Sequence, residues 1–246
     1  MPNGHKVVVT MPAYNAARTL EKTLQDIPHD AVDELILVDD ASSDQTVEVA
    51  RRLGIHTIEH AENRGYGGNQ KTCYDAALAN GADVVVLLHP DYQYDPKMLT
   101  DLIAPILAGR SDFTFGSRFL RNSRDPLRGG MPLYRWIGNR VTTLAENLLL
   151  GTRFSELHSG YKAYNRFFLE NIAYQRYSDA FVFDSQMLID AVLSRRFRIE
   201  EVAIPTRYTA ESSSASVSNS LKYVALTVWY ASRSRFARRG GVRRSR

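Results

Sequence analysis

The chain has 246 residues, 44% hydrophobic and 24% charged, a balance typical of a folded globular protein and not of a disordered one. Its single cysteine, Cys73, excludes an internal disulfide framework and any multi-cysteine metal site, so we expect a reducing, cytoplasmic setting. The formal net charge of +4 is unevenly distributed, because eight Lys and Arg and no acid follow Glu211. Residues 1–211 therefore hold 23 basic and 27 acidic residues, a net of −4.

Short apolar strands alternate with helical stretches along the chain, a pattern typical of βαβ units and a largely parallel sheet flanked by helices. Asn15 is predicted to cap the first helix, and Gly54 to end the second one in a left-handed conformation. In chain order, the pattern predicts strands at 6–10, 34–40, 55–60, 83–88, 112–118 and 198–208, and later helices at about 69–80, 97–108 and 133–150.

No internal repeat or long linker interrupts residues 1–211, which we predict to form one α/β domain. The regular strand–helix alternation ends near residue 118, so 1–118 and 119–211 are predicted to form its two halves. Residues 212–246 form a basic tail in which 219–239 has helical periodicity. The apolar run of that segment, 223–231, is far shorter than the roughly twenty residues that cross a bilayer.

Polar and charged side chains follow four of the predicted strands. The segments are "MPAYN" (11–15), "VDDASSD" (38–44), "HPDYQ" (89–93) and "GSR" (116–118). In open α/β sheets, ligands collect beyond the carboxyl ends of the strands, so these segments are the candidate binding loops. The first two follow the strands of an expected nucleotide-binding half.

Asp91 and Gln93 lie two residues apart after the fourth strand, where an extended turn would point both side-chain oxygens the same way. Hard cations such as Mg²⁺ or Mn²⁺ take oxygen ligands and commonly complete their shell with phosphate and water. The pair therefore fits a metal that bridges a diphosphate. The alternative, in which Asp91 caps the next helix and Gln93 is solvated, stays open at this point.

Five segments together, "VVVTMPAYN", "ELILVDDASSDQT", "ENRGYGGNQ", "LLHPDYQYDP" and "DFTFGSR", occur in the order and approximate spacing of family 2 glycosyltransferases with the GT-A fold. The chain most resembles the branch that contains dolichyl-phosphate mannose synthase and other polyprenyl-phosphate glycosyltransferases. The resemblance covers residues 5–211 and implies a Rossmann-like, mostly parallel sheet that binds a UDP- or GDP-sugar. It also implies inversion at the transferred sugar.

The resemblance assigns roles to motif positions. Asp91 and Gln93 would hold Mg²⁺ or Mn²⁺ on the donor diphosphate, and Asp91, Arg118 and Arg135 would act at the reacting phosphates, which a guanidinium can grip at two oxygens. The positions implied in nucleotide-sugar binding are Pro12, Tyr14, Asn15, Asp39 or Asp40, His89 and Pro90.

Two positions depart from that branch. Related enzymes usually begin the metal motif with Asp, whereas this chain has His89, a poorer ligand for Mg²⁺ than for Mn²⁺. We favour the interpretation that His89 stays outside the metal's coordination shell over one in which it selects Mn²⁺. The final motif, "AESSSAS" (210–216), has hydroxyls where the branch often has a lysine, which puts one phosphate contact in doubt.

The acceptor decides whether a general base is needed. A hydroxyl acceptor needs one, and Glu156, His158 or Asp184 are the candidates, although Glu156 and His158 also fit an ordinary polar turn. A lipid phosphate is already substantially ionised near neutral pH, with a second pKa of about 6. The arginine-rich segment 118–135 favours a polyprenyl phosphate, such as the dolichyl, undecaprenyl or decaprenyl ester, over a glycan or small-molecule hydroxyl.

The tail points to a membrane surface. Aromatic and aliphatic residues within 219–239, flanked by arginines, predict an interfacial helix on anionic lipid, and hence a cytoplasmic protein held peripherally at the inner face of the plasma membrane. A C-terminal helix that packs on the domain is the alternative. Nucleic-acid binding by the basic tail is a distant alternative, and nucleotidyl transfer and a non-catalytic binding module also stay open.

Overall fold

The computed structural model describes residues 4–205 and 225–234. One mixed, mostly parallel sheet of seven strands forms the centre of the described part. The strands are β1 (Val7–Ala13), β2 (Glu34–Asp39), β3 (His56–Glu59), β4 (Val84–Leu87), β5 (Phe113–Ser117), β6 (Lys162–Asn165) and β7 (Ile199–Ala203).

Helices cover both faces of this sheet. They are α1 (Leu20–Gln25), α2 (Thr46–Arg52), α3 (Gly65–Ala79), α4 (Leu99–Leu107), α5 (Asp125–Arg128), α6 (Leu133–Leu150), α7 (Arg166–Asn171), α8 (Phe183–Ser194) and α9 (225–234). Short 3₁₀ turns at His29–Ala31, Pro96–Met98 and Tyr174–Arg176 complete the connections.

The strand order is β3-β2-β1-β4-β6-β5-β7. The strands β3, β2, β1 and β4 are parallel, as predicted, and β5 and β7 also pair in parallel. β6 is the exception, because it lies antiparallel between β4 and β5 and opposes Leu87 and Phe115 with Lys162. The sequence analysis missed β6, since its four residues "KAYN" carry a lysine and an asparagine and resemble no apolar strand.

The core occupies both faces of the sheet because successive side chains of a strand point to opposite sides. On β1, Val7, Val9 and Met11 pack with the helices α1, α2 and α4, whereas Val8 packs with the layer of α3, α7 and α8. Every residue of β1 is buried, as expected for a central parallel strand covered on both faces.

Of two predicted helix ends, one changes and one is confirmed. The first helix begins at Leu20 and not after Asn15, which has a φ of 54° and accepts a hydrogen bond from Ser43 N at 2.9 Å through Oδ1. The prediction that Asn15 caps a helix is therefore wrong, since its side chain ties together the loops after β1 and β2. The prediction for Gly54 is confirmed, with a φ of 71° directly after α2.

The helix α9 packs against the domain. Thr227 and Ala231 are buried, Ala231 within a cluster that includes Leu150 and Ile189, and Tyr230 Oη donates to Asp190 Oδ2 at 3.2 Å. The remainder of the predicted tail helix, and the motif at 210–216, lie outside the described residues. Within the described ranges no helix combines the length and apolarity needed to span a membrane.

The first turn of α3 requires glycine. A Cβ at Gly67 would lie 2.4 Å from the carbonyl oxygen of Ser178 and 2.8 Å from Phe183 Cβ, and Gly67 N donates to Asp179 O at 2.7 Å. The backbone of α3 thus lies directly against the 178–183 segment, which holds Tyr66 beside the sheet edge.

We expect Gly67→Ala to destabilise the protein by about 1–3 kcal/mol, because the added methyl group forces two packed backbones apart. Gly138→Ala is the matched control, since a Cβ at this helical glycine meets no atom within 4 Å. The control should be neutral or stabilising by up to about 1 kcal/mol, because alanine favours helix. Urea unfolding measures both; equal stability of the two variants would contradict the close approach.

Candidate functional site

The candidate loops meet at one edge of the sheet, beyond the carboxyl ends of β1, β2, β4 and β5. Three of the described non-glycine residues with positive φ lie in these loops: Asn15 at 54°, Ala41 at 59° and Tyr92 at 59°. Such conformations are unfavourable for residues with a Cβ and concentrate at functional sites. The edge is therefore the candidate site.

Hydrogen bonds join the loops after β1 and β2. Asp39 is buried at the end of β2, and its carboxylate accepts from Ser42 N at 2.9 Å and from Ser42 Oγ at 2.5 Å. Ser42 Oγ in turn accepts from Asn15 N at 2.8 Å. Tyr14, between these groups and solvent, is exposed, whereas Pro12 is buried in β1 opposite Val38.

The contacts of Asp40 mainly hold the start of α3 in place. Its buried carboxylate accepts from Arg64 N at 2.8 Å and Gly65 N at 3.0 Å at the start of α3, and lies 2.7 Å from His60 Nδ1. A carboxylate at a helix N-terminus is stabilised by the unpaired N–H groups there. Of the two aspartates proposed for the base or ribose, Asp39 lies nearer the β1 loop and Asp40 supports α3.

The turn after β4 holds Asp91 and Gln93, both partly exposed. The predicted extended turn is wrong in detail, because Tyr92 between them is left-handed and Asp91 Oδ1 accepts from Gln93 N at 3.1 Å. Pro90 is buried, and its carbonyl accepts from Thr23 Oγ1 at 3.2 Å. The loop thus presents a carboxylate and an amide from a turn whose backbone is held by hydrogen bonds.

The donor chemistry at this turn fits a hard cation that is shared with a ligand. Carboxylate and amide oxygens are the ligands that Mg²⁺ and Mn²⁺ take. Across residues 4–205 and 225–234, no three His, Cys, Asp or Glu side chains are grouped so as to hold a metal ion. A cation here would need further oxygens from a diphosphate or water.

A half-buried network of side chains surrounds His89, directly before the turn that holds Asp91 and Gln93. Tyr66 Oη lies 3.2 Å from His89 Nε2 and donates to Asp184 Oδ2 at 2.7 Å, and the Tyr66 ring stacks on His89 at 5.5 Å between centroids. Asp184 also forms an ion pair with Lys162 of β6, with Nζ and Oδ1 2.8 Å apart. Burial lowers the pKa of His89, although the nearby charges of Asp91 and Asp184 oppose the shift.

His89 therefore faces Tyr66 through Nε2. Gly160 leaves room for the imidazole in this position, because a Cβ there would lie 3.1 Å from His89 Nε2. Burial lowers the pKa of Lys162, while its partner Asp184 raises it. A buried ion pair needs close geometry to offset the loss of hydration of both charges.

Arg118 and Glu156 form the second buried ion pair. Arg118 N donates to Glu156 Oε2 at 2.8 Å, and its Nε lies 3.0 Å from Oε1, so the carboxylate holds both backbone and guanidinium. Asn139 Nδ2 donates to the same carboxylate at 3.1 Å. Glu156 thus fixes Arg118 at the exit of β5.

The remaining predicted residues lie on or beside α6. His158 Nε2 lies 3.2 Å from Glu146 Oε2, which is buried on the inner face of α6. Arg135 is in the first turn of that helix, with Nε 3.2 Å from Tyr134 Oη. Arg135 thus lies at the start of α6, and Arg118 lies at the exit of β5.

Sequence reasoning missed three residues at this site: Tyr66, Lys162 and Arg140. Tyr66 lies in the glycine-rich segment and Lys162 in the overlooked strand β6, where a lysine alternating with Tyr161 and Ala163 was the available signal. Arg140 NH1 donates to Ser155 O at 3.1 Å, and its guanidinium lies 5.6 Å from the Phe119 ring centroid. Arg140 thereby brings a second guanidinium next to the Arg118–Glu156 pair.

The sheet order, the strand-exit loops and the turn after β4 define a GT-A-like nucleotide-sugar transferase fold. A crystal structure of glucosyl-3-phosphoglycerate synthase from Mycobacterium tuberculosis, with Mn²⁺, UDP and glucosyl-3-phosphoglycerate, has this fold. The two superpose with a TM-score of 0.69 at 22% identity, over 94% of this chain and 80% of that one.

The chain belongs to glycosyl transferase family 2, whose family profile matches residues 8–173, and it is a glycosyltransferase. The UDP-N-acetylglucosamine–dolichyl-phosphate N-acetylglucosaminyltransferase of Methanococcus voltae is 27% identical over 223 residues, 84% of this chain and 87% of that protein. The dolichyl-phosphate hexose transferase of Haloferax volcanii is 29% identical over 206 residues, 83% of this chain and 84% of that protein. The predicted resemblance is confirmed.

The Lys162–Asp184 pair generates a prediction about stability. Lys162→Met and Asp184→Leu should each destabilise the protein by about 3–5 kcal/mol, because each leaves a buried charge without its partner. The double variant should lose far less than the sum of the two, since it buries no unpaired charge. Urea unfolding of the four proteins measures this coupling, and strict additivity would contradict a buried, interacting pair.

Proposed function

We propose that this enzyme transfers a sugar from a UDP- or GDP-sugar to the phosphate of a polyprenyl phosphate, with inversion, at the inner face of the membrane. Two observations support the acceptor class. Relatives of similar length are named for transfer to dolichyl phosphate. In addition, the three residues that could serve as a general base are each paired with another side chain.

The contacts of the three candidate bases are the main support for a phosphate acceptor. Glu156 holds Arg118, His158 lies against Glu146, and Asp184 accepts from both Lys162 and Tyr66. In each of the three, the side chain that would have to take a proton is already engaged by a neighbouring group. A phosphate acceptor needs no base, because it reaches the site with its nucleophilic oxygen already ionised.

The reaction is an in-line displacement at the anomeric carbon. An oxygen of the acceptor phosphate forms the new bond to carbon, the bond from carbon to the donor diphosphate breaks, and the nucleoside diphosphate leaves with the electron pair. Asp91 and Gln93 would hold Mg²⁺ or Mn²⁺ against the diphosphate, where such a cation stabilises the charge of the leaving group.

The other residues bind and orient. The loops of Pro12, Tyr14 and Asn15 and of Asp39 would receive the nucleoside, with Asp40 holding α3 behind them. Arg118, held by Glu156, would grip phosphate oxygens, and Arg140 lies next to that pair. Arg135, in the first turn of α6, would join them at the phosphates.

The basic end of the chain supports attachment to anionic lipid. Residues 235–246 hold six arginines and no acid. Each basic residue near an anionic surface contributes on the order of 1 kcal/mol, less at high salt. Since α9 packs on the domain, we propose that the segment beyond it, together with exposed side chains such as Trp229, contacts the membrane.

A second candidate is a hydroxyl acceptor, favoured by the fold shared with glucosyl-3-phosphoglycerate synthase. The two candidates make opposite predictions for a pair of matched acceptors. We expect the purified enzyme to glycosylate a short-chain, water-soluble prenyl phosphate and not the corresponding prenol. Thin-layer or mass-spectrometric detection of product from UDP- and GDP-sugars measures this, and transfer to the prenol alone would refute the phosphate acceptor.

The metal role is tested at Asp91. Asp91→Ala should lower transfer by about a thousandfold or more while leaving the unfolding free energy within about 1 kcal/mol, because it removes the carboxylate that holds the cation at the diphosphate. Chelation should abolish wild-type transfer, and Mn²⁺ or Mg²⁺ should restore it. Asp101→Ala, at an exposed carboxylate of α4, is the matched control and should stay active. Full activity of Asp91→Ala would refute the metal site.

A further inference from the structure

The turn after β4 is attached to the first helix on both sides of Asp91. Before Asp91, the carbonyl oxygen of Pro90 accepts a hydrogen bond from Thr23 Oγ1 at 3.2 Å. After it, Tyr92 Oη donates to Asp26 Oδ2. Thr23 lies in α1 and Asp26 caps its end, so one short helix contacts the residues on either side of the carboxylate that we propose holds the cation.

Tyr92 has a backbone conformation that its own side chain helps to maintain. Its φ of 59° lies in the left-handed region, which glycine adopts readily and a Cβ makes unfavourable. The side chain is buried, and Lys22 Nζ of α1 lies 4.1 Å from the centroid of its ring. A cation over an aromatic ring and a hydrogen bond to a carboxylate both favour this position of the ring, and α1 supplies the cation while its cap supplies the carboxylate.

Asp26 is held in place by a second contact. Lys97 Nζ, in the 3₁₀ turn before α4, lies 3.3 Å from Asp26 Oδ1, so each oxygen of the carboxylate has a partner. Lys97 is largely exposed, and an exposed ion pair contributes little. The hydrogen bond from the buried Tyr92 is therefore the stronger of the two contacts.

These contacts bear on metal binding because Asp91 and Gln93 are the chain neighbours of Tyr92. A glycine at position 92 would adopt the same φ more easily, but it would leave both side chains on a turn without the ring and the hydroxyl that α1 holds. Ligands that are fixed before a cation arrives lose less conformational freedom when it binds. The contacts of Tyr92 should therefore raise the affinity of the turn for the cation.

We propose that Tyr92 and Asp26 are positioning residues for the cation, which hold Asp91 and Gln93 ready to bind Mn²⁺ or Mg²⁺ together with the donor diphosphate. The inference rests on the proposed function for the presence of a cation at Asp91, and it goes beyond that function by naming the residues that set the affinity of the site. Both residues act through the turn and not on the reacting atoms.

The test compares two variants that each lose one hydrogen bond from a tyrosine to an aspartate. Tyr92→Phe removes the hydroxyl and keeps the ring beside Lys22. Tyr174→Phe is the matched control, because Tyr174 is similarly buried, its Oη donates to Asp75 Oδ1 at 2.6 Å, and it packs on the face of the sheet opposite α1. We expect similar changes in the free energy of unfolding, measured in urea.

Metal binding is measured without turnover, from the electron paramagnetic resonance signal of free Mn²⁺ in titrations with UDP present and, separately, with GDP present. We expect Tyr92→Phe to weaken Mn²⁺ binding roughly tenfold and Tyr174→Phe to bind Mn²⁺ like the wild type. Unchanged Mn²⁺ affinity of Tyr92→Phe, or an equal loss in Tyr174→Phe, would overturn the proposal.

Transfer assays provide a second readout. The Mn²⁺ concentration that gives the half-maximal rate should rise in Tyr92→Phe by the same factor as the dissociation constant. The rate at saturating Mn²⁺ should change by less than about twofold, because the metal ligands themselves are intact. A large fall of the saturated rate with unchanged Mn²⁺ affinity would give Tyr92 a part in the reaction and overturn its positioning role.

A double variant tests whether the two residues act through one contact. If they do, Asp26→Ala/Tyr92→Phe should bind Mn²⁺ no more weakly than the weaker of the two single variants, whereas fully additive losses would contradict the shared hydrogen bond.

Asp91→Ala separates this inference from the proposed function. Mn²⁺ binding that is lost in Asp91→Ala and unchanged in Tyr92→Phe overturns the positioning role alone. Mn²⁺ binding that Asp91→Ala leaves intact overturns the metal role of Asp91, and the positioning role with it.

Discussion

The insertion of β6 between β4 and β5 is the constraint on which the site depends. This antiparallel strand brings Lys162 to the edge where β4 ends, next to the turn that holds Asp91. A lysine in that place must be paired, because an isolated buried charge is strongly unfavourable. Asp184 pairs with it and Tyr66 adds a hydrogen bond, so the start of α8, the start of α3 and the centre of the sheet are held to one another.

Burial also explains the second ion pair, which joins Arg118 to Glu156. Glu156 precedes β6 and holds Arg118 at the end of β5, so one short segment of chain, 156–162, fixes both Arg118 and the network behind the turn after β4. Carboxylates engaged in this way organise the site, because each holds a cationic side chain of another element in place.

The sequence allowed the parallel half of the sheet and its loops to be predicted, because each buried strand is an uninterrupted apolar run that ends in polar residues. β1, β2 and β4 with their exits are of this kind. It did not reveal β6, since four residues that include a lysine carry almost no strand signal. They adopt a strand conformation because β4 and β5 pair with them on both sides. Likewise, Asn15 has the composition of a helix cap, and only the position of Ser43 across the loop gives it another role. Pairings such as Arg118 with Glu156 depend on distances between segments that periodicity does not encode.

Ala41 and Tyr92 hold left-handed backbone conformations that a side chain disfavours, and the surrounding packing maintains them. The conformational entropy of these loops is therefore lost once, when the chain folds, and not again at each encounter with a ligand. With the loops after β2 and β4 fixed in this way, the dissociation rate of a bound nucleotide depends on its contacts and not on loop reordering. Making these loops more flexible, for instance by Ala41→Gly, would leave the reacting groups in place and shorten the residence time of the nucleotide.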